Sequence, residues 1–266
     1  MPRALEILGG YVTAPSTALT ALTMMSGNSL TVRNCAPDQD VSLIGAWQRN
    51  QAAGTLRIRS PLLHDNVQGM RFSATVDAPR QLIPAPGKQK LKPQDSLIVE
   101  LSGSATAGDI EQAFLLVSYG DLPGVEGRFL TAEEFYQVNC QLVTVENTLA
   151  TGTGGGWSGE EAINAEYSLL RANTDYALLG YVLSANCGAV RWRGTDIGNL
   201  GVGGPGDSVN RHMTAKWFLG LAEVTGMPLI PVINSANLAS VLIDAATDEN
   251  GTDVTVHTIL AQLPKQ

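Results

Sequence analysis

The sequence predicts an all-β protein made of two tandem β-sandwiches that are related by an internal duplication. The first observation is a series of short stretches in which apolar and polar residues alternate, with turn residues about every eight to twelve positions. The second is that one such stretch, Thr55–Arg59, has the same form as Ala189–Arg193, 134 positions later. The third is that matching blocks flank both stretches in the same order.

The two matched stretches alternate strictly, and each follows a glycine, Gly54 or Gly188. Strict alternation is the period of a strand that has one buried face and one exposed face. We therefore predict that the apolar members point into a core, namely Leu56, Ile58, Val190 and Trp192. The arginines of the same strands should point outward, namely Arg57, Arg59, Arg191 and Arg193.

Further pairs of blocks support the duplication because they follow one another in the same order, with offsets between 134 and 147. A drifting offset is what loops of unequal length produce. Each copy then closes on an apolar stretch, Ala113–Val117 in one and Val256–Leu260 in the other. The other pairs are Ser29–Leu30 with Ser168–Leu169, Leu43–Gly45 with Leu178–Gly180, Leu82–Pro84 with Leu229–Pro231, and Leu97–Leu101 with Val241–Asp244.

These blocks divide the chain into four parts. Residues 1–27 are predicted to form an N-terminal arm, and residues 28–127 the first β-barrel or sandwich. Residues 128–164 are predicted to be a linker with a Gly-rich loop and a short helix, which Thr131 caps ahead of two acidic residues, Glu133 and Glu134. Residues 165–266 then form the second β-barrel. The segment Ala215–Ala222 fits either a helix or a strand.

The composition bounds the partners of the chain. The net charge of −8 and the sequence pI of about 4.9 make direct binding of nucleic acid unexpected. Charged residues make up only 16% of the chain, below the quarter that is usual for soluble domains. Two explanations stay open at this point. Either the surface is rich in uncharged polar residues, or much of it is buried against other subunits.

The cysteines and the apolar runs indicate neither a disulfide framework nor a membrane span. Cys35, Cys140 and Cys187 are odd in number and far apart, which favours free thiols in a reducing compartment. No run approaches the ~18 apolar residues of a transmembrane helix. The N-terminal stretch lacks the uninterrupted apolar core of a signal peptide.

A search for catalytic and metal-binding motifs assigns no catalytic residue, no cofactor and no metal site. His64, His212 and His257 lie far apart and outside any familiar ligand spacing. The Gly-rich stretches 152–159 and 198–206 lack the Lys-Ser/Thr or βα context of nucleotide-binding loops. The acids near one turn offer oxygen ligands for calcium but do not match the EF-hand spacing. They are Asp244, Asp248, Glu249 and Asp253.

The repeated arginines are the candidate contact residues. On one face of a strand, Arg57 and Arg59, like Arg191 and Arg193, would stand ~6.5 Å apart. This spacing suits carboxylates of a neighbouring subunit, or phosphate. The alternative is a solvated sheet face on which the arginine stems cover apolar surface. Because the pair occurs in both copies, we predict a pseudo-symmetric subunit contact.

The tandem barrels, low charge and apolar N-terminal arm resemble the double-barrel (tandem jelly-roll) major capsid proteins of icosahedral, often membrane-containing, bacterial viruses. The resemblance is architectural and covers residues 28–123 and 165–264. It implies homotrimers whose six barrels form pseudo-hexagonal capsomers in a virion, after synthesis in the host cytoplasm. Other virion proteins, and an internal membrane reached through the arm, are the further partners that the resemblance implies.

Three other functions compete with this interpretation. Tandem β-sandwiches commonly bind glycans on exposed aromatic residues, for which Trp157, Trp192 and Trp217 are the candidates. A second possibility is another virion component, such as a spike or decoration protein. A third is a two-barrel hydrolase, for which the sequence offers no catalytic residues.

Overall fold

The two halves of the chain, each built of two sheets, repeat one arrangement of strands. The computed structural model describes residues 4–25, 30–36, 40–62, 67–74, 80–82, 87–152, 154–166, 170–247 and 251–264. The first half contains ten strands: β1 (Ala4–Thr13), β2 (Thr20–Ala21), β3 (Thr23–Met24), β4 (Val41–Arg49), β5 (Gly54–Arg59), β6 (Met70–Ala74), β7 (Arg80–Leu82), β8 (Gln89–Leu91), β9 (Ile98–Leu101) and β10 (Ile110–Tyr119).

The second half follows a short connection and carries the helices. Its elements are β11 (Phe129–Leu130), α1 (Ala132–Tyr136), β12 (Gln141–Leu149), β13 (Trp157–Ala162), β14 (Asp175–Leu183), β15 (Ala189–Arg193), β16 (Val202–Pro205), α2 (Arg211–Thr214), α3 (Trp217–Thr225), β17 (Ile230–Asn234), a 3-10 helix (Ser235–Ser240), β18 (Leu242–Ala246) and β19 (Val254–Gln262). Among the described residues, no helix combines the length and apolarity needed to cross a bilayer.

Each half is a sandwich of two antiparallel sheets. In the first sandwich, sheet 1a has the order β3-β1-β10-β4-β7, with β8 also paired to β4, and sheet 1b has the order β2-β9-β5-β6. In the second, sheet 2a has the order β11-β17-β14-β19-β12, and sheet 2b has the order β13-β18-β15-β16. The predicted all-β fold of two tandem sandwiches is confirmed.

The strand order identifies each sandwich as a jelly roll. When the eight strands from β12 to β19 are counted along the chain, the sheets read 1-8-3-6 and 2-7-4-5. In the first sandwich, β2 and β3 share the second position, and β7 and β8 share the sixth. The strands β1, β10, β4 and β7 then read 1-8-3-6, and β2, β9, β5 and β6 read 2-7-4-5; β3 extends sheet 1a beyond β1. Eight strands in two interlocked Greek keys make a jelly roll.

The sequence repeats fall on equivalent strands. Thr55–Arg59 lies on the fourth strand of its sandwich, as Ala189–Arg193 does, and Leu56, Ile58, Val190 and Trp192 are all buried, as predicted. Leu43–Gly45 and Leu178–Gly180 each mark a β-bulge, where the pairing of the third strand with the eighth shifts by one residue. The repeated block Ser168–Leu169 lies outside the described residues, and Ser29–Leu30 and Leu82–Pro84 lie partly outside them.

The predicted N-terminal arm is wrong for the described residues. Ala4–Thr13 forms β1, which pairs over its full length with β10, and Thr20–Met24 supplies β2 and β3. Residues 4 to 10 of β1 are buried on both faces, so the stretch shows no alternation and resembles an apolar tail. The same residues cannot serve as an arm that reaches a membrane, because they are an integral part of sheet 1a.

The predicted linker is also too long. The helix is present as α1, and the hydroxyl of Thr131 accepts a hydrogen bond from the amide of Glu134 in a complete capping box. Its C-terminal part is wrong, however, because β12 and β13 are the first two strands of the second sandwich. The ambiguous segment Ala215–Ala222 is mostly helical, within α3, and the Gly-rich stretch 198–206 contains β16.

The apolar core of the second sandwich extends across the contact between the two sandwiches. One apolar cluster fills the first sandwich and contains Leu43, Leu56 and Val117. A second cluster fills the second sandwich and extends onto the outer face of sheet 1a, where Ile7, Trp47 and Phe114 belong to it. Sheet 1a is therefore packed on both faces.

Candidate functional site

The four arginines of the repeated strands lie on the outer faces of sheets 1b and 2b, as predicted. In each sandwich, the register places the first arginine directly opposite an acid on the seventh strand. Arg57 is paired with Glu100, and Arg191 with Asp244. Both acids stand at the same place in the repeated blocks Leu97–Leu101 and Val241–Asp244. The repeat thus encodes a cross-strand ion pair within each sandwich.

In the first sandwich, two arginines share one carboxylate. Arg57 Nη2 donates to Glu100 Oε1 at 2.7 Å, and Arg59 donates through Nε and Nη2 to the two oxygens of Glu100 at 3.1 Å each. Burial alone would raise the pKa of Glu100, but the hydrogen bonds from Arg57 and Arg59 outweigh it and lower that pKa. Arg71 on β6 stands opposite Arg57 on the same face and is exposed.

In the second sandwich, the equivalent pair is more deeply enclosed. Arg191 donates to Asp244 through Nε at 2.7 Å and Nη2 at 2.9 Å, and only 3% of the Asp244 side chain is exposed. Arg193 donates to Asp244 at 3.2 Å and is also paired with Glu160. The guanidinium of Arg191 lies 4.0 Å from the ring centroid of Trp157, a cation–π contact.

This second cluster forms the floor of a cavity of about 370 Å³ between the two sandwiches. The opposite wall comes from β1 and from Arg33, which lies between β3 and β4. There Glu6 accepts hydrogen bonds from Arg33 at 2.6 and 2.8 Å and from the Tyr119 hydroxyl at 3.0 Å. The acids on both sides are therefore paired with arginines of their own sandwich.

The two sandwiches meet face to face, with the outer face of sheet 1a on the outer face of sheet 2b. Phe114 of sheet 1a contacts Trp157 of sheet 2b with ring centroids 5.8 Å apart. Trp47 Nε1 donates to the carbonyl of Gly188 at 3.1 Å, and its ring contacts Trp217 of α3. The four sheets therefore stack in the order 1b, 1a, 2b, 2a.

Backbone contacts complete this interface. The amide of Ile7 donates to the carbonyl of Gly201 at 2.7 Å. A Cβ added to Gly188 would lie 2.1 Å from Gln112 Oε1 and 2.9 Å from the Phe114 ring, so a larger residue there would force these two side chains of the other sandwich to move. The contact is heterologous, because each sandwich uses a different surface, and the two end faces of the stack are left over.

The outer face of sheet 2a is one of these end faces, and it is polar. Its exposed residues include Thr144, Glu146 and Thr148 on β12, and His257 is half-exposed on β19. His257 Nδ1 lies 3.5 Å from Glu146 Oε2. Glu166 reaches the same face, where its Oε1 accepts a hydrogen bond from the amide of Thr148 at 2.6 Å.

The remaining sequence candidates are dispersed. His212 is exposed on α2, His257 lies on the outer face of sheet 2a, and His64 is outside the described residues. Asp244 of the calcium hypothesis is engaged by Arg191 and Arg193, and Asp248 and Glu249 are outside the described residues. Among the residues that the structure describes, no group of three or more histidines, cysteines and acids is placed to hold a metal ion.

The glycan hypothesis depended on exposed tryptophans, and two of its three candidates are buried. Trp192 is fully buried in the second core, where its Nε1 donates to Thr258 at 3.3 Å. Trp217 is 4% exposed and donates to the carbonyl of Gly203. Trp157 is partly exposed, but its ring lies between Phe114 and Arg191.

The comparisons with known proteins give structural similarity only. No protein-family model matches the chain, and no curated protein matches it in sequence. Among solved structures, the vertex protein P5 of PRD1 aligns with 44% of this chain and 74% of its own, at 8% identity and a TM-score of 0.27.

Two other solved structures align with nearly the whole chain. The exported protein XepA of PBSX aligns over 97% of this chain and 86% of its own, at 12% identity and a TM-score of 0.28. The major capsid protein P2 of bacteriophage PM2 aligns over 98% of both chains, at 8% identity and a TM-score of 0.22. Because these TM-scores are below 0.5, the fold assignment rests on the strand order of this chain.

Proposed function

We propose that this chain is a structural protein of a virion, a major capsid protein that assembles as trimers into an icosahedral shell. The observation that carries the proposal is the heterologous stacking of two jelly rolls in one chain. A head-to-tail contact leaves one unused surface of each kind, so further copies can add by the same contact, and such contacts close into rings when the rotation allows it. Three chains would then supply six similar jelly rolls to a pseudo-hexagonal capsomer.

The composition supports an assembled state. A chain with only 16% charged residues has few ion-rich surfaces to keep it apart from its copies. Its net charge of −8 suits a shell that does not bind the genome directly. Other virion proteins are the further partners we propose.

The two arginine pairs, which the sequence predicts to be subunit contacts, have different positions in this proposal. Arg191 and Arg193 lie at the contact between the sandwiches of one chain. Arg57 and Arg59 occupy the equivalent face of the first sandwich, so they are the candidates for the contact between subunits. Both pairs would then serve the same kind of contact, once within the chain and once between chains.

The test is the mass of the purified protein by light scattering over a range of concentrations, with negative-stain imaging of the heaviest fraction. The expected result is a trimer of the 28.1 kDa chain, with sheets or shells at higher concentration. A monomer at every concentration would rule out the proposal. A small closed oligomer that never tiles would instead indicate a spike or decoration protein.

A further inference from the structure

Two sheet faces end the four-sheet stack, and both carry charge. We call the outer face of sheet 1b the arginine face; it contains Arg57, Arg59, Arg71 and Glu100. We call the outer face of sheet 2a the acidic face; it contains Thr144, Glu146, Thr148 and His257, with Glu166 at its border. Neither face is packed against the other sandwich.

The repeat relates these two faces to the pair that is already in contact. Sheet 1b occupies the same place in its jelly roll as sheet 2b, whose outer face sheet 1a covers. Sheet 2a occupies the same place in its jelly roll as sheet 1a, whose outer face packs on sheet 2b. The strand register makes the equivalence specific, since His257 takes the position of Phe114, and Glu146 that of Gly9. The acidic face is therefore the counterpart of a docking face.

The charges of the two end faces are complementary. Among the described residues, the arginine face carries three guanidinium groups and one carboxylate. The acidic face carries the carboxylates of Glu146 and Glu166 beside His257. Opposite charges on two surfaces favour their encounter and fix their relative register.

The chemical difference between the two contacts fits their different roles. The contact inside the chain is aromatic, with Trp47, Phe114 and Trp157 at its centre, as suits a permanent interface. The end faces carry threonines and charged residues, so a contact between them would be more polar than the contact inside the chain. A polar face of this kind suits a partner that must first exist as a separate molecule.

We propose that the acidic face of one copy docks on the arginine face of a second copy, repeating between chains the packing of sheet 1a on sheet 2b. This inference rests on the proposed function and names the surfaces that join its subunits. Glu146 and Glu166 of one chain would face Arg57, Arg59 and Arg71 of the next. Arg71 is the most accessible of the three arginines.

The experiment reverses these charges and measures association by light scattering. Glu146, Glu166 and Arg71 are exposed, so we expect their substitution to preserve the fold, with the loss of only the hydrogen bond that Glu166 accepts from the Thr148 amide; circular dichroism checks this. We expect the double variant E146R/E166R to weaken association by roughly tenfold or more. Arg71→Glu should weaken it too, and the combination with E146R/E166R should recover part of the loss. The matched control is Glu133→Arg, on exposed α1 and on neither face.

The salt dependence of the unmodified protein gives a second readout. Association through these faces should weaken as the salt concentration rises from about 0.05 M to about 0.5 M, because exposed charges are screened. If the natural chain assembles and E146R/E166R assembles equally well, this inference is overturned while the proposed function stands. If the natural chain remains a monomer, both are overturned.

Discussion

Sheets 1a and 2a occupy the same position in two jelly rolls, yet their outer faces differ in kind. Sheet 1a presents Ile7, Trp47 and Phe114 to the second sandwich. At the equivalent positions sheet 2a has Thr144, Val182 and His257, and these remain partly or largely exposed. One fold therefore accepts both an apolar and a polar outer face, because its own core needs only the inward-facing residues.

The burial patterns of the strands record the same difference. All residues of β4 and β10 are buried, whereas β12 alternates between buried and exposed positions over much of its length and β19 between buried and partly exposed ones. A strand that is packed on both faces reads as a continuous apolar run, and a strand packed on one face alternates. The comparison teaches that the pattern along a strand reports how many layers cover it, even when the topology is identical.

The largest expected effect comes from removing an aromatic side chain between the sandwiches. Trp47 is fully buried and lies 5.7 Å from Phe114 and 5.9 Å from Trp217, measured between ring centroids. Trp47→Ala should lower the free energy of unfolding by about 3–5 kcal/mol, because it opens a cavity in a packed interface. Denaturant unfolding followed by circular dichroism measures the loss.

Val182 on sheet 2a provides the matched control for this substitution. It occupies the equivalent outward position and is partly exposed, so Val182→Ala should cost less than about 1 kcal/mol. Equal losses for the two variants would contradict the claim that the outer face is packed at Trp47 of sheet 1a but open at Val182 of sheet 2a.

The next effect compares the two arginine–acid clusters. Asp244→Ala would leave Arg191 and Arg193 without their shared carboxylate in an enclosed site, at a cost of about 3 kcal/mol. Glu100→Ala should cost only about 1–2 kcal/mol, because the Glu100 side chain lies on an end face and is 10% exposed, against 3% for Asp244. Unfolding of both variants at neutral pH tests the difference, and a larger loss for Glu100→Ala would contradict it.

The sequence predicts the strands that have one buried and one exposed face, and the helix that begins with a capping box. Alternation places Leu56 and Trp192 in their cores, and Thr131 with Glu134 marks the start of α1. It fails for β1, because a strand covered on both sides carries no alternation and its glycines suggest a loop. It also fails for the start of the second sandwich, because the Gly-rich segment between β12 and β13 interrupts the strand signal.

The residues of the arginine–acid pairs could be found in the sequence, but their pairing could not. The repeated arginines were apparent, and so was the repeated block that contains Glu100 and Asp244. Their pairing depends on the fourth and seventh strands being neighbours, which strand order alone decides. Opposite charges at matching positions of two repeated blocks were the available signal. The head-to-tail contact could not be inferred, because it depends on which faces of the finished sandwiches meet.

A smaller effect tests the close approach at the interface between the sandwiches. Gly188→Ala should destabilise the protein by about 1–3 kcal/mol, because its methyl group would collide with Gln112 and Phe114 of the other sandwich. Since the clash lies between the sandwiches, we expect calorimetry to show one transition for the natural chain and a broadened or split one for Gly188→Ala. Gly152→Ala is the control, since a Cβ there meets nothing within 4 Å. A single, unshifted transition for Gly188→Ala would show that the sandwiches do not depend on this contact.

The smallest expected effect is the response of the Glu100 cluster to acid. Arg57 and Arg59 lower the pKa of Glu100 below its ordinary value of about 4.3. The ionised carboxylate therefore favours the folded state, and its contribution is complete above the unfolded pKa and is lost as the pH falls through the lower, folded pKa. We expect Glu100→Gln to remove about 1 kcal/mol of stability at pH 7 and progressively less below about pH 4. Urea unfolding of both proteins from neutral to acid pH measures this convergence. A difference that stays constant with pH would mean that the arginines stabilise the sheet without the charge of Glu100.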